Sequence, residues 1–85
     1  MLENLPAFVT VDCDVFDPSI LPGVNYPIPN GWMYSDYLSV ITSLTSSIGK
    51  NIVGFDFVEF CPDKDNTNLS VSTVSNAILD MLSRI

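Results

Sequence analysis

Histidine is absent from the 85 residues. Its absence removes imidazole general acids and bases, His-ligated metals and the common zinc motifs from anything this chain does by itself. Positive charge is nearly as scarce. Three Lys/Arg stand against ten Asp/Glu, a net charge of −7, and Lys50, Lys64 and Arg84 are scattered rather than clustered. Such a chain offers a phosphate backbone nothing to bind, so nucleic acid is not an expected partner. Two cysteines, Cys13 and Cys61, are too few for a disulfide framework. Long apolar runs are also missing: the stretches 7–11 and 52–60 fall far short of the roughly 20 residues a membrane helix needs. The start, "MLENLPAF", carries Glu3 instead of a basic n-region and has no long apolar h-region, which predicts no secretory signal and a cytoplasmic address.

What remains is an apolar, acidic chain. Hydrophobic residues make up 47% and mean hydropathy is +0.34, too apolar for a disordered segment. The length allows at most one small domain, and a chain of this size buries only about 60 to 65% of its unfolded surface, so its core is marginal. The acidity either keeps this apolar chain in solution or draws cations, metal ions or cationic substrates.

Four elements are predicted. Residues 8–12 are short, β-branched and apolar apart from Thr10, as a strand is. From Asp14 to Met33 the prolines at 18, 22, 27 and 29 exclude helix, and Gly23 and Gly31 supply turns. A loop of that length is usually functional or disordered. Tyr37, Leu38, Ile41, Leu44 and Ile48 then recur at helical spacing, with Ser35 or a neighbour as cap and Gly49 as stop. Residues 51–60 form a second strand, apolar at nearly every position in the manner of strands buried on both faces of a parallel sheet. After Pro62 and the polar "DKDNTN", Val71, Val74, Ile78, Met81 and Leu82 mark a final helix from Asn68 or Ser70. A helix crossing between two buried strands is the βαβ unit, whose strands run parallel.

In open parallel sheets ligands bind beyond the carboxyl ends of the strands. Both strands carry acid there: Asp12 and Asp14 on the first, Glu59 on the second. If the chain stays extended, Asp12 and Asp14 share a face with Cα atoms roughly 7 Å apart, and Cys13 points the other way. Two like charges so close call for a cation or a shared proton, and oxygen ligands of this kind suit Mg²⁺, Ca²⁺ or Mn²⁺. Asp17, before Pro18, fits an Asx-turn. The spacing is no EF-hand, because the sixth position of such a loop is Asp17 and the twelfth is Gly23.

The strand-Asp-x-Asp-x-x-Asp-Pro block at Asp12, Asp14, Asp17 and Pro18 is followed by Pro22, Gly23, Pro27, Pro29 and Gly31, and then by a strand with Gly54, Asp56, Glu59 and Pro62. In order and spacing this resembles the carboxyl-terminal part of the ureohydrolases, the arginases and agmatinases. The resemblance implies an α/β fold, a βαβα piece of a three-layer α/β/α parallel sheet, with residues 1–85 a single partial domain. It implies a binuclear Mn²⁺ site that activates a water against a guanidinium or amidine carbon. Asp12 and Asp14 would be metal ligands, and Glu59 would bind a small cationic guanidino substrate. The chain departs from the family pattern at Tyr26, where a small Thr is common, at Asn30, which replaces the first glycine of a pair, and at Met33. The family's remaining ligands include histidines from motifs upstream, so the two-metal site is incomplete here and the chain alone is expected to be inactive.

Two other readings stay open. The chain is a non-catalytic α/β remnant that associates with itself or with another chain, its Asp pair an incidental cation site; exposed strand edges predict a homo-oligomer, or else a missing amino-terminal segment. Third, a strand followed by Asp-x-Asp also occurs in metal-nucleotide glycosyltransferases, although that explains "VDCD" and nothing of "GFDFVEFCP".

Overall fold

A computed structural model describes residues 5–85. Its elements run β1 (Ala7–Asp12), α1 (Tyr34–Ile48), β2 (Ile52–Val58) and α2 (Leu69–Leu82), with single 3₁₀ turns at Cys13–Val15, Gly49–Asn51 and Pro62–Lys64. The strands pair in parallel, Val9 opposite Phe55, Val11 opposite Phe57 and Asp12 opposite Val58. This is the expected β-α-β-α order.

One face of the two-stranded sheet makes the core. Val9, Val11, Phe55 and Phe57 pack toward Tyr37 and Ile41 of α1 and toward Val74, Ala77 and Met81 of α2. Tyr37 is fully buried, and its hydroxyl donates to the Ala77 carbonyl at 2.6 Å, tying the two helices together. Tyr34 donates to Asp80 in a second tie between the same helices. Phe8 and Thr10, on the opposite face, are exposed, as is Asp56. Among the described residues both helices therefore lie on one side of the sheet, one flanking layer of the three-layer arrangement.

Element ends differ from expectation for local reasons. β2 stops at Val58 rather than at residue 60, because Glu59 takes a left-handed backbone, φ 63°, which ends extended pairing. Helix α1 starts at Tyr34 with Met33 as its cap residue, so Ser35 lies inside the helix; the Asp36 carboxylate, three residues beyond the cap, accepts the Met33 N–H at 2.9 Å. Asn68 precedes α2 at φ 66° without a side-chain cap, and Asp65 caps instead by accepting the Ser70 N–H at 2.7 Å.

The proline-rich connection is more ordered than its composition predicts. It is closed at the neck: Asp17 N–H donates to the Trp32 carbonyl at 2.8 Å and Trp32 N–H to the Val15 carbonyl at 2.7 Å. Phe16 meets Trp32 edge-on, ring centroids 6.4 Å apart. Inside the neck, Phe16, Leu21 and Val24 are buried core residues. Loop and helix are joined where Gly23 N–H donates to Ser70 Oγ at 2.8 Å, and loop and β2 where Cys61 N–H donates to the Gly23 carbonyl at 2.7 Å.

Candidate functional site

Parallel pairing sets the carboxyl ends of β1 and β2 side by side. Asp12 closes β1 opposite Val58, and Glu59 is the next residue along β2. The chain turns at once after Asp12, into the 3₁₀ turn Cys13–Val15, and this corrects the extended geometry expected for the Asp-x-Asp pair. Asp12 is the cap of that turn: its Oδ1 accepts the Asp14 N–H at 3.1 Å. The two carboxyl groups still come together, by curling rather than by sharing a strand face. Cys13 between them faces inward and is fully buried.

The electrostatics report the same convergence. The Asp14 carboxyl is pushed above the usual carboxylate range, chiefly by hydrogen bonding with the Asp12 side chain, then by burial and by the charges of Asp12 and Glu59. All three predicted residues thus act on one another. Two carboxyls that share a proton form the donor arrangement that a hard divalent cation can occupy in the proton's place. The pair fits as part of a cation site. Among the described residues no group of three or more His, Cys, Asp or Glu is disposed to hold a metal ion. The Cys13 thiol is pushed up to about 11 by burial and by Asp12 and Asp14, so it stays protonated and is neither nucleophile nor ligand.

Asp17 takes the turn role expected of it. Its Oδ2 accepts the Ser19 N–H at 3.0 Å and its Oδ1 the Gly31 N–H at 3.2 Å, and these contacts, those of Ser19 foremost, lower its carboxyl below the ordinary value. It clamps the two limbs of the loop. Gly31 is required there by space: a Cβ would stand 2.7 Å from the backbone of Val15, Phe16 and Asp17. Asn30, where the ureohydrolase pattern has glycine, sits at φ 65°. Asparagine tolerates that left-handed backbone better than most residues, so the departure preserves the turn. Gly54 lies beneath the Phe8 ring, which a Cβ would approach to 2.9 Å, and so shapes the sheet rather than the site.

Comparison with known proteins gives a consistent result. The model of the arginase family matches residues 1–83. An agmatinase of Chromobacterium violaceum is 36% identical over 81 residues, 95% of this chain and 24% of that one. Among solved structures, an arginase from Bacillus subtilis superposes with a TM-score of 0.79 at 25% identity, covering 94% of this chain and 29% of that one. A hypothetical agmatinase from Burkholderia thailandensis superposes with a TM-score of 0.77 at 28% identity, covering 92% and 24%. The chain spans about a quarter of the length of the curated relatives it matches. A family match over nearly every residue, a shared fold and carboxylates gathered at the strand ends agree: this chain belongs to the arginase family.

Proposed function

We propose that the chain supplies one part of a manganese-dependent ureohydrolase, which hydrolyses a guanidino or amidine C–N bond, and that by itself it is inactive. The observation that carries this reading is the meeting of Asp12, Asp14 and Glu59 at the ends of adjacent parallel strands, where Asp14 feels both other charges. Residues 1–85 then form a single partial domain of a larger site.

Asp12 and Asp14 would hold the cation, each as a hard oxygen donor, the first fixed by its bond to the turn backbone. When bound, a divalent cation supplies Lewis acidity and a water of lowered pKa. Glu59 would orient the substrate, since a carboxylate receives a planar guanidinium through two parallel hydrogen bonds. Its backbone conformation aims the side chain differently from a strand residue, because φ 63° takes it out of the pleat. Two carboxylates alone cannot fix two metals rigidly, and this is why the isolated chain is inactive.

Urea release from arginine and agmatine, with Mn²⁺ present, tests the reading. The isolated chain should release none, and joining it to the rest of an arginase-family polypeptide should restore turnover. In the restored enzyme Glu59→Gln should raise KM by removing the charge opposite the guanidinium, a loss of about 2 to 5 kcal/mol for a desolvated pair. Hydrolysis by the isolated chain, or a restored enzyme indifferent to Glu59→Gln, would overturn it.

A further inference from the structure

The free edge of β1 opens into a groove of about 240 Å³. Its floor is β1 itself from Val9 to Asp12, and Val15 and Trp32 close one end. Val40 and Leu44 of α1 overhang it. These two are four residues apart and so lie on one helix face. That face is distinct from the stripe of Tyr37 and Ile41, which is buried over the sheet. The apolar surface of α1 is therefore wider than the sheet it covers, and Val40 is 43% exposed where it projects past the edge.

Main-chain groups reinforce the point. Among the described residues β1 pairs with β2 alone, so its outer edge presents a row of N–H and C=O groups with no ladder to join. A segment that fills the groove has to satisfy that row and also cover Val40 and Leu44. An extended strand about 4.8 Å from β1 does both, with alternate side chains rising under α1. A second copy of this chain suits the groove poorly, because each copy carries −7 and the groove ends at Asp12. The share of the relatives that is matched names a better occupant: roughly three quarters of an arginase-family polypeptide lies outside the region this chain represents.

We propose that this groove seats a β-strand from the remaining portion of an arginase-family polypeptide, parallel to β1, with its carboxyl end beside Asp12. The inference rests on the reading that the chain is one part of a ureohydrolase, and it identifies the contact through which the parts join. The strand's residues facing α1 should be apolar and β-branched, to pack on Val40 and Leu44. Its last residues would come to lie next to the carboxylate pair, where further oxygen or nitrogen donors are needed.

The test joins the Chromobacterium violaceum agmatinase polypeptide, without its matched region, to Met1 of this chain. Amide hydrogen exchange is then followed across residues 8–12, and the same fusion is made with Asp12→Asn so that docking is read without activity. Exchange at 8–12 should slow at least tenfold relative to the chain alone in both fusions, and Val40→Asp should restore the fast rate while leaving the melting of the isolated chain unchanged. Equal rates with and without the added polypeptide, including a fusion that does not assemble, would overturn the proposal. So would protection that survives Val40→Asp, or protection in the chain alone that rises with its own concentration, which would give the groove to a second copy. A protected fusion that releases no urea would sink the functional reading and leave the docking intact.

Discussion

Glu59 should cost the fold stability. Three residues other than glycine hold a left-handed backbone: Asn30 at φ 65°, Asn68 at φ 66° and Glu59 at φ 63°. Two are asparagines, whose short amides compensate for the conformation by local bonding, whereas glutamate has no such means. Placing an ordinary L-residue there costs about 1 to 2 kcal/mol. Among the described residues no hydrogen bond or ion pair holds the Glu59 side chain, and its charge adds to the field that raises Asp14. Replacing it by glycine removes the strain and the repulsion, and returns about 0.5 to 1 kcal/mol through glycine's greater freedom in the unfolded chain. The net gain is about 0.5 to 1 kcal/mol. For a domain of this size that raises the melting temperature by several degrees, at roughly 4 to 8 °C per kcal/mol.

Thermal melts of the chain followed by circular dichroism would read this directly. Glu59→Gly should melt higher than the parent, and Glu59→Gln, which keeps the backbone strain, should stay close to it. In a completed enzyme the glycine variant should lose substrate affinity while it gains stability, the exchange expected where strain is kept for function. A Glu59→Gly chain that melts at or below the parent temperature would refute the strain argument, and with it the physical reason for assigning Glu59 a role.

Gly23→Ala should destabilise the fold by about 1 to 3 kcal/mol in denaturant melts, because the new Cβ would stand 2.9 Å from Ser70 Oγ and 3.0 Å from the Cys61 carbonyl, at the bond that joins loop to helix. Asp65, held below the ordinary 3.8 chiefly by bonds from Ser70 and then Thr67, contributes stability that is present above that value and lost as pH falls below it. Stability measured from about pH 5 down to about pH 2 should therefore fall less in Asp65→Asn than in the parent. Calorimetric titration with Mn²⁺ should show weak binding that disappears in the Asp12→Asn, Asp14→Asn double variant, and identical isotherms would rule out the pair as a cation site.

The elements were legible wherever one physical cause acts locally. Apolar spacing from Tyr37 to Ile48 marks α1, Gly49 marks its end, and continuous β-branched and aromatic runs mark both strands. Their parallel pairing follows from the crossover, and it puts acid at both strand ends. The loop was opaque because its order is long-range. Nothing in "SILPGVNYPIPNG" announces that Leu21 and Val24 are core residues or that Ser70 and Cys61 fasten Gly23. Cap positions failed for the same reason, since Asp36 and Asp65 accept the bonds assigned by propensity to Ser35 and Asn68. The Asp12–Asp14 contact was anticipated, but its geometry was not, because a two-residue offset does not reveal whether the chain extends or turns.

The second strand carries the one mismatch between sequence and structure that itself points outward. Its residues are apolar on both parities, a pattern that belongs to a strand covered on both faces. Yet Val53 is 72% exposed, and Phe8, which crosses Gly54 on the uncovered face, is 61% exposed. A lone 85-residue domain selected to stand by itself would place polar residues there, as half-solvated sheets do. The pattern instead suits a surface meant to be buried, and the relatives of which this chain spans about a quarter supply the scale of the cover. Strand composition, the bare sheet face and the overhanging helix α1 thus ask for the same thing: more polypeptide of the arginase fold, placed against β1 and across the outer face.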